Sequence, residues 1–521
     1  MLQEHNVILK NPMQVGLRFA SCYPNLYRTA ISSLGFHIIY EFLNSREDTW
    51  CERVVYPHSR SLESSTPLKN FDIVSFSLQY EQDYFNVVEM LKKGGISPRK
   101  KDRDDSDPLV IAGGPCATSN PAPMSDFIDL FIIGEAEEVM DQLLDKYLEL
   151  KNPKKEVESF LDIEGVYLPD YPAKRVIVND MDDACHPIHQ IVPETDNKNL
   201  KPALGSSFLL GVSRGCTRGC RFCMAGYLYR PRRETSLKKL FKIAEEGRDA
   251  TGLNKIALIG AAVSDYSKID ELCSGLLEMG FKVTTPSLRI ESVSSDTLES
   301  LMKSGLKTIT LAPESVFCVR KSLNKPITDE KTFEVVKEAL NIGLNVKMYF
   351  LVGSPTETQK DIQKLSELMK SLLNISKKRN SIRFSVNPLI PKPHTPLQWK
   401  GYDLKLMKSK INFLKSNLKN TPLKIESPRI GLIQHVLSNG SSEIGPMIEK
   451  SLIKKIPIKE WNKFTSAKDI ESKLPWDNID IGLKNNFLKK EYLKLIDGTE
   501  TPWCEESPCY NCGPCLNKKI I

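Results

Sequence analysis

Residues 213–226 of the chain read Ser-Arg-Gly-Cys-Thr-Arg-Gly-Cys-Arg-Phe-Cys-Met-Ala-Gly, and this stretch decides the fold and chemistry to be expected. Its cysteines, Cys216, Cys220 and Cys223, follow a Cys-x3-Cys-x2-Cys spacing. Deprotonated sulfur is the usual ligand of iron-sulfur clusters, and so short a spacing lets one loop hold one face of a four-iron cluster. Three thiolates leave one iron without a protein ligand. The intervening glycines permit tight turns, and the arginines offset the negative charge of thiolates and sulfides.

A structural zinc site is the alternative interpretation of this loop. Structural zinc normally takes four ligands, often in two spaced pairs of cysteine or histidine. No fourth cysteine or histidine follows closely after Cys223. The spacing therefore favours an iron-sulfur cluster with one open iron.

The cysteine loop resembles the signature of the radical S-adenosylmethionine superfamily. That resemblance implies a [4Fe-4S] cluster whose open iron binds S-adenosylmethionine and whose electron releases a 5'-deoxyadenosyl radical. The radical would remove hydrogen from an unactivated carbon, while the protein positions the cofactor and shields it from water. The expected partner is a low-potential electron donor such as ferredoxin or flavodoxin.

Length and composition indicate how many domains the chain has and which partners and location to expect. At 521 residues the chain exceeds the size of a single core, so two or three domains are expected. The 72 basic and 65 acidic side chains give a net charge of +7, which is no specific signal for nucleic acid. The N-terminus lacks a signal-peptide pattern, which predicts a cytoplasmic protein with reduced thiols. No apolar run approaches the roughly 20 residues that span a bilayer, so membrane contact would be peripheral.

Residues 1–160 show the alternation of short apolar runs and helical periodicity that is typical of a doubly wound, Rossmann-like α/β domain. The predicted strands lie at 15–20, 72–77, 109–112 and 130–133, and the predicted helices at 29–44, 84–93 and 136–150. Ligands of such sheets lie at the carboxyl ends of strands. Gly113, Gly114, Gly134 and Glu135 follow two of these strands and are candidate cofactor-binding residues. Tight strand-to-helix turns would also explain the glycines.

Four runs in this region are similar to the cobalamin-binding-like domain that precedes many radical S-adenosylmethionine domains. They are Tyr23-Pro-Asn-Leu-Tyr27, Ser33-Leu-Gly-Phe36, Ile111-Ala-Gly-Gly-Pro115 and Gly134-Glu-Ala-Glu137. The resemblance makes cobalamin a candidate cofactor. The Asp-x-His-x-x-Gly motif that supplies a histidine to cobalt is missing, so cobalamin would bind without that histidine. His37 fits a packed helix better than a ligand.

Residues 161–204 are rich in charged residues, proline and asparagine, and we interpret them as a bridging segment. Cys185, His186 and His189 lie close together there. These side chains could suggest a metal site, but no fourth ligand is near and the spacing matches no common site. A structural role is the favoured interpretation.

Residues 205–400 resume the strand and helix alternation and predict a partial (β/α)6 TIM-like barrel. The six predicted strands lie at 209–212, 256–259, 282–285, 308–311, 346–352 and 383–387. Active sites of such barrels lie at the carboxyl ends of the strands, and the cysteine loop follows the first of them.

Residues after the later barrel strands are candidates for holding S-adenosylmethionine. By the resemblance these are Gly260, Glu314, Gly353 and Glu357. Gly260 begins a Gly-Ala-Ala run where the superfamily usually has a Gly-Gly-Glu-like run, and Glu357 could instead favour a helix dipole in a first turn. His394, in the Pro-Lys-Pro-His-Thr-Pro run that resembles the end of such domains, is either a cavity residue or structural.

Residues 401–521 are expected to form a helical C-terminal region with a second cysteine cluster. Residues 403–419 predict an amphipathic basic helix, which either docks on its own domain or lies on lipid. Cys504, Cys509, Cys512 and Cys515 follow a Cys-x4-Cys-x2-Cys-x2-Cys spacing. The tight spacing favours an auxiliary iron-sulfur cluster for electron relay or stability, with a single iron or zinc as the alternative.

The resemblance extends over roughly residues 15–400 and predicts an enzyme, although the sequence indicates no catalytic residue besides the cluster ligands. The leading hypothesis is hydrogen abstraction followed by carbon-carbon bond formation, as in the archaeal synthases that place cyclopentane rings in tetraether lipids. Its substrate would be a membrane lipid. The alternatives are a cobalamin-dependent methyltransferase acting on RNA, protein or a small molecule, and a non-catalytic iron-sulfur electron-transfer protein.

Overall fold

The computed structural model describes residues 3–484, 486–505, 507, 509 and 512–515. The N-terminal part of the chain contains the short strand β1 and all six strands of one large sheet. Its strands are β1 (Gln3–His5), β2 (Leu17–Leu26), β3 (Thr49–Tyr56), β4 (Ile73–Ser77), β5 (Leu109–Gly113), β6 (Leu130–Ile132), β7 (Val166–Tyr167), β8 (Ala173–Lys174) and β9 (Val192–Glu194). Its α-helices are α1 (Tyr27–Ala30), α2 (Leu34–Ser45), α3 (Tyr84–Lys93), α4 (Pro115–Ser119) and α5 (Met140–Glu149).

The large sheet is doubly wound, which confirms the predicted fold class. Its strand order is β3-β2-β4-β5-β6-β7, and every pairing is parallel except that of β7 with β6. Numbered along the chain, the five parallel strands have the order 2-1-3-4-5 of flavodoxin-like sheets, which bind ligands where the chain reverses direction, at the carboxyl ends of the strands. That edge of the sheet faces the rest of the molecule.

Strand β3 is the parallel strand of this sheet that the sequence analysis did not predict. It carries Glu52 and Arg53 in its middle, and both are buried. Arg53 pairs with Glu4 and Glu63 at 2.7 and 2.6 Å. A charged pair interrupts the apolar run that signals a buried strand, and the partners that permit its burial lie elsewhere in the sequence.

The second half of the chain builds the barrel and the segments around it. Its strands are β10 (Phe208–Gly211), β11 (Ser213–Arg214), β12 (Arg233–Glu234), β13 (Lys255–Ile259), β14 (Lys282–Thr284), β15 (Thr308–Glu314), β16 (Asn345–Val352), β17 (Ile382–Pro388), β18 (Leu423–Ile425) and β19 (Ile479–Asp480). Its α-helices are α6 (Ala225–Leu228), α7 (Leu237–Thr251), α8 (Ile269–Glu278), α9 (Ser295–Lys303), α10 (Phe317–Ser322), α11 (Asp329–Asn341), α12 (Gln359–Leu373), α13 (Leu404–Asn417), α14 (Pro428–Asn439), α15 (Gly445–Ser451), α16 (Ile458–Trp461) and α17 (Phe487–Asp497).

The barrel consists of two parallel sheets, with orders β10-β13-β14 and β15-β16-β17-β18. All six predicted strands are present, and β18 adds a seventh parallel strand next to β17. A backbone hydrogen bond from Leu288 N to Thr310 O, 3.0 Å long, connects the segment after β14 to β15. The carboxyl ends of all these strands lie at the same end of the barrel, where the cysteine loop also begins.

One hydrophobic core joins the two halves of the molecule. Phe76 and Phe131 on one face of the N-terminal sheet belong to the same buried cluster as Phe208 and Leu258 of the barrel. The opposite face of that sheet is covered by α2 and α5 in a separate cluster. The shared core holds the carboxyl ends of the two sheets against each other.

Helix α13 docks on the protein itself. Met407, Ile411 and Leu414 lie buried on its inner face, so its apolar stripe is already covered. Among the described residues, no helix is both long and apolar enough to cross a membrane.

Candidate functional site

The cysteine loop is closed at its base by a two-residue antiparallel ladder. Strand β11 before the loop pairs with β12 after it, Ser213 opposite Glu234 and Arg214 opposite Arg233. Gly215 opens the loop with a φ of 86°, and a Cβ there would lie 2.3 Å from Pro231 O. Only glycine fits so close a backbone approach. The ladder and this turn fix where the three cysteines can lie.

The cysteine thiols of the loop lie in a buried, positively charged environment. Cys216 and Cys220 are buried, and Cys223 is half-buried. Burial raises the pKa of the Cys216 thiol, while the nearby Arg289 guanidinium opposes that rise. Burial raises the pKa of Cys223 to about 12, and Cys220 and Cys216 raise it too. Thiols with such pKa values become good ligands when metal cations stabilise their thiolates.

The segment after β14 contributes two charged residues that the sequence analysis missed. Arg289 Nη2 donates to Glu291 Oε1 at 2.6 Å, and its Nε lies 3.6 Å from Asp265 Oδ2. Glu291 Oε2 is buried without a hydrogen-bond partner. Burial alone would raise the pKa of Glu291, but Arg289 and Lys325 together keep it low. An ionised oxygen therefore remains available near the cysteine loop for a polar cofactor group.

The position of Arg289 and Glu291 in the sequence could have marked them as candidate site residues. They follow the predicted strand 282–285 within Pro286-Ser-Leu-Arg-Ile-Glu291, at the barrel end where active-site residues are expected. Asp265, in the segment after β13, accepts from Arg218 at 2.8 and 2.9 Å. It thereby attaches the cysteine loop to the segment after β13.

Glu314 lies close to the cysteine loop at the end of β15. It pairs with Lys325 Nζ at 2.8 Å, and both side chains are buried. Burial would lower the pKa of Lys325, but the Glu314 carboxylate and Cys220 together more than offset it, so the pKa is raised. Glu314 has a φ of 67°, which is strained for a side-chain-bearing residue. Backbone strain of this kind is often found at binding sites.

Gly353 and Glu357 form a separate unit after β16. Glu357 Oε1 accepts from Gly353 N at 3.0 Å and from Lys410 Nζ at 2.7 Å. Glu357 Oε2 is buried without a partner. Glu357 holds its own loop through Oε1, and neither Gly353 nor Glu357 lines the cavity described next.

A cavity of about 440 Å³ lies where the two halves of the molecule meet. The N-terminal sheet contributes the residues after β4, β5 and β6, and the barrel contributes those after β10 and β13. Of the predicted cofactor-binding residues, the structure brings five to this cavity: Gly113, Gly114, Gly134, Glu135 and Gly260. Arg214, Gly215 and Tyr229 of the cysteine-loop region line it too. The cavity therefore joins the ligand edges of both sheets.

Glu135 connects the two halves across one wall of this cavity. Its carboxylate accepts from Arg214 Nη1 at 2.9 Å, from Arg233 Nη2 at 2.8 Å and from Val178 N at 2.8 Å. Burial would raise the pKa of Glu135, but the Arg233 and Arg214 guanidinium groups keep it below its usual value. Its oxygens are engaged by protein, which gives it a structural part at the cavity.

Backbone geometry alone explains why Gly114 and Gly134 are glycines, whether or not a ligand binds there. Gly134 has a φ of 116°, and a Cβ there would lie 2.1 Å from Val176 O. At Gly114 a Cβ would lie 2.9 Å from Leu78 O. The strand-end turns that the sequence analysis kept as the alternative therefore need these glycines, whatever binds beside them.

The histidines considered from the sequence do not converge on a metal. His186 Nε2 accepts from Gly211 N at 3.1 Å, and His189 is exposed near Glu41. His37 is buried in α2 with Nε2 3.0 Å from Ile31 O. His394 is buried against Trp476, and burial lowers its pKa to about 3. Within the described part of the chain, no three His, Cys, Asp or Glu side chains stand close enough to hold a single metal ion.

Comparison with known proteins identifies the family. The family of radical SAM N-terminal domains matches residues 35–169, and the radical SAM superfamily matches residues 210–369. The uncharacterized protein MJ0966 of Methanocaldococcus jannaschii is 34% identical over 441 residues, which cover 83% of this chain and 90% of that protein. The chain belongs to the radical S-adenosylmethionine superfamily.

Other relatives of this radical S-adenosylmethionine protein are more distant. The cytidylyl-2-hydroxyethylphosphonate methyltransferase of Streptomyces wedmorensis is 26% identical over 151 residues, 28% of each chain. The solved structure of the radical S-adenosylmethionine methyltransferase TsrM from Kitasatospora setae, with cobalamin and a [4Fe-4S] cluster bound, covers 74% of each chain with a TM-score of 0.51 at 11% identity. The likeness to TsrM shows that the two proteins share a fold.

The cysteine loop fits the cofactors of a radical S-adenosylmethionine enzyme. Cys216, Cys220 and Cys223 offer three soft donors in a cationic environment, and Glu291 Oε2 and the strained Glu314 lie beside them. The three thiolates would hold the cluster, and one iron would stay open for S-adenosylmethionine. When bound, the two cofactors supply a reductive cleavage that begins radical chemistry. The chain is therefore an enzyme that uses a [4Fe-4S] cluster and S-adenosylmethionine.

Proposed function

We propose that this enzyme binds cobalamin in the interdomain cavity and transfers methyl groups. The single observation that carries the proposal is the cavity itself, which opens at the carboxyl ends of a flavodoxin-like sheet and of the barrel. When bound, cobalamin carries a methyl group from S-adenosylmethionine towards a substrate. The names of the Streptomyces wedmorensis and TsrM proteins agree with this class of reaction.

The lining of the cavity suits a large, flat group with amide arms. Glycine backbones form much of the wall at the strand ends. Ser75 and Ser77 of β4, Gln79 after this strand, and Ser213 of β11 offer hydrogen bonds to amides. The remaining wall is mainly apolar, with Leu34 among its side chains, and would exclude water from the reacting face.

The cavity offers cobalt no free histidine. Among the described residues, His186 is the histidine that lines it, and its Nε2 already accepts from Gly211 N at 3.1 Å. In that tautomer the other ring nitrogen carries hydrogen and is no metal ligand. Cobalamin in this cavity would therefore lack a protein histidine on cobalt, as the missing motif in the sequence also implies.

A cavity-filling variant provides the direct test of cobalamin binding. Gly35 of α2 lines the cavity, and a Cβ there would meet no atom within 4 Å. Gly35→Phe should fill the site without disturbing the fold, while Ser45→Phe, at the exposed end of the same helix, is the matched control. Equilibrium dialysis should show cobalamin bound by the wild type and by Ser45→Phe and lost in Gly35→Phe. Equal binding by all three would place cobalamin elsewhere, and no binding by the wild type would reject its use.

Ring formation in membrane lipids is the second candidate, because the apolar wall around Leu34, Ile38 and Ile39 would also suit an apolar substrate. Anaerobic reaction of the reconstituted enzyme with S-adenosylmethionine, a reductant and an archaeal lipid extract distinguishes the two candidates. A product that gains a methyl group supports methylation of lipid. Loss of two hydrogens per product supports ring formation. Deoxyadenosine with unchanged lipid directs the search to RNA, protein or small-molecule substrates.

The cluster ligands have a test that is independent of substrate. Cys220→Ala removes one of the three thiolates, so it should abolish the release of 5'-deoxyadenosine from S-adenosylmethionine. Cys273→Ala, a buried cysteine on α8 away from the loop, is the control. Unchanged cleavage in Cys220→Ala would contradict the ligand assignment. The enzyme also needs an external electron donor, for which we propose ferredoxin or flavodoxin.

A further inference from the structure

A second group of cysteines lies directly against the cysteine loop. Cys504 is half-buried, Cys512 is buried, and Cys509 and Cys515 are exposed. We propose that these four thiolates hold a second iron-sulfur cluster, which passes electrons to the first. The sequence spacing predicts a metal there. The structure adds its location and its contacts with the first site.

Thr217, which follows the first cluster cysteine, contacts the C-terminal segment through its side chain. Its Oγ1 accepts from Trp503 Nε1 at 2.8 Å and donates to the Glu505 carboxylate. The Sγ of Cys504 lies 4.0 Å from Thr217 O. Cys504 of the second group and Cys216 of the first are thus separated by the single residue Thr217 at this contact.

Two arginines of the loop region strengthen the docking. The Arg218 guanidinium lies 3.5 Å from the centre of the Trp503 ring, a close cation-π contact. Arg232 Nη2 pairs with Glu505 Oε2 at 2.6 Å, and both side chains are largely buried. These contacts place the cysteine-rich segment on the loop rather than at a distance from it.

Arg230 provides the charge that a thiolate cluster needs. Its Nη1 donates to Cys512 Sγ at 3.4 Å, and its Nε donates to Gly226 O, so it is anchored in the loop. Hydrogen bonds to cluster sulfurs are among the features that set reduction potential. The same side chain therefore contacts a ligand of the second cluster and the backbone of the loop that holds the first.

The four C-terminal thiols lie near one another. Burial raises the pKa of Cys515, and the neighbouring Cys512, Cys504 and Cys509 thiols raise it as well. Across the described residues, however, no three possible ligands are arranged for a single ion. The thiolates of a cluster bind different irons and so stand further apart than the ligands of one zinc. The tight cysteine spacing favours a cluster, and metal analysis distinguishes it from zinc or a single iron.

The expected role is electron relay. One electron would leave a ferredoxin-type donor, which is oxidised, reduce the second cluster and move on to the first. No atom or proton is transferred in this step. The exposed Cys509 and Cys515 mark the side from which a donor could approach, and the Thr217 contact marks the side facing the first cluster.

Metal analysis tests the site itself and does not depend on cobalamin. The reconstituted wild type should hold about eight irons per chain, and a variant with all four C-terminal cysteines changed to serine should hold about four. Cys318→Ser, at an exposed cysteine on α10, is the control and should keep the wild-type count. If the wild type instead holds one zinc per chain and the four-serine variant lacks it, the iron-sulfur assignment is overturned. An unchanged iron count would overturn the site.

A second measurement separates relay from a merely structural role. The serine variant should still bind S-adenosylmethionine and release 5'-deoxyadenosine when dithionite supplies electrons, because the first cluster keeps its three ligands. With a reduced ferredoxin as donor, it should lose most of the wild-type rate. If the serine variant loses the same share of its rate with dithionite as with ferredoxin, the relay is contradicted. It is also contradicted if variant and wild type have equal rates with ferredoxin. The electron paramagnetic resonance spectrum of the reduced wild type should contain a signal that the serine variant lacks.

Discussion

At the scale of single residues, Glu135 shows how a predicted ligand can have a structural role. Glu135→Gln removes the negative charge that two buried arginines, Arg214 and Arg233, share. Breaking one partner of a buried ion pair should lower the free energy of unfolding by about 3 kcal/mol. Chemical denaturation measures this loss. Glu137→Gln, which pairs with Arg214 only, should cost less. Unchanged stability with weakened cobalamin binding would instead make Glu135 a cofactor ligand.

A buried acid in the N-terminal domain should make stability depend on pH. Burial raises the pKa of Asp83 from 3.8 to about 7, with Asn25 opposing and Glu81 adding to the rise. Between these pH values the folded chain keeps a proton that the unfolded chain has lost. The free energy of unfolding therefore falls as pH rises through this window, by an amount on the order of 4 kcal/mol.

The variant Asp83→Asn tests this expectation because it is neutral at every pH. Thermal melting should give similar stability for wild type and variant near pH 4 and a more stable variant at pH 8. Asp102→Asn, at an exposed acid of the same domain, should change little at either pH. If Asp83→Asn is more stable than the wild type by the same amount at both pH values, the effect does not come from titration of Asp83.

At the scale of secondary structure, periodicity in the sequence was a good guide wherever strands are buried on both faces. Such strands read as continuous apolar runs, and β4, β5 and the six barrel strands were predicted within a few residues. Strand β3 was missed because Glu52 and Arg53 interrupt its run. Arg53 has its partners at Glu4 and Glu63, and local patterning carries no information on such distant pairs.

The turn after β6 gives a prediction at the same scale. Gly134→Ala would place a Cβ 2.1 Å from Val176 O at a φ of 116°. Strain and backbone displacement should lower the free energy of unfolding by roughly 2–4 kcal/mol, measurable by denaturant titration. Gly113→Ala lies on the same sheet edge, where its Cβ would meet Ile132 at an ordinary 3.6 Å. Gly113→Ala should leave the free energy of unfolding nearly unchanged. Similar losses of stability in both variants would rule out the close approach to Val176 O as the cause.

At the scale of the whole molecule, sequence patterns predict candidate site residues but not how the folded chain brings them together. The cysteine spacing predicts both groups of thiols, and the strand ends predict Gly260 and Glu314. The patterns could not predict that Arg214 and Arg233 would bind Glu135 across the domains. Nor could they predict that the C-terminal cysteines would lie on the first loop, because such contacts join residues hundreds of positions apart.

The chain beyond α17 should matter to both cysteine groups. Arg221 of the loop is fully buried and donates to Thr499 O at 2.8 Å and to Glu491 Oε2 at 3.1 Å. A chain ending at Gly498 would lose the first of these contacts and those of Trp503 and Glu505. Iron analysis should then show loss from both sites, whereas the four-serine variant loses only one cluster. Circular dichroism should confirm that the truncated chain is folded. Retention of about four irons by it would contradict this dependence.

The contact between Thr217 and the C-terminal segment also constrains how the enzyme matures. Residues 499–505 leave the ribosome after the loop they cover, and in the folded chain Cys216 and Cys220 are already buried. A scaffold protein delivering iron and sulfide would have more open access to the loop before Trp503 and Glu505 settle on Thr217. We therefore expect a preferred order of maturation, with the first cluster inserted before the end of the chain docks and the second inserted as it docks.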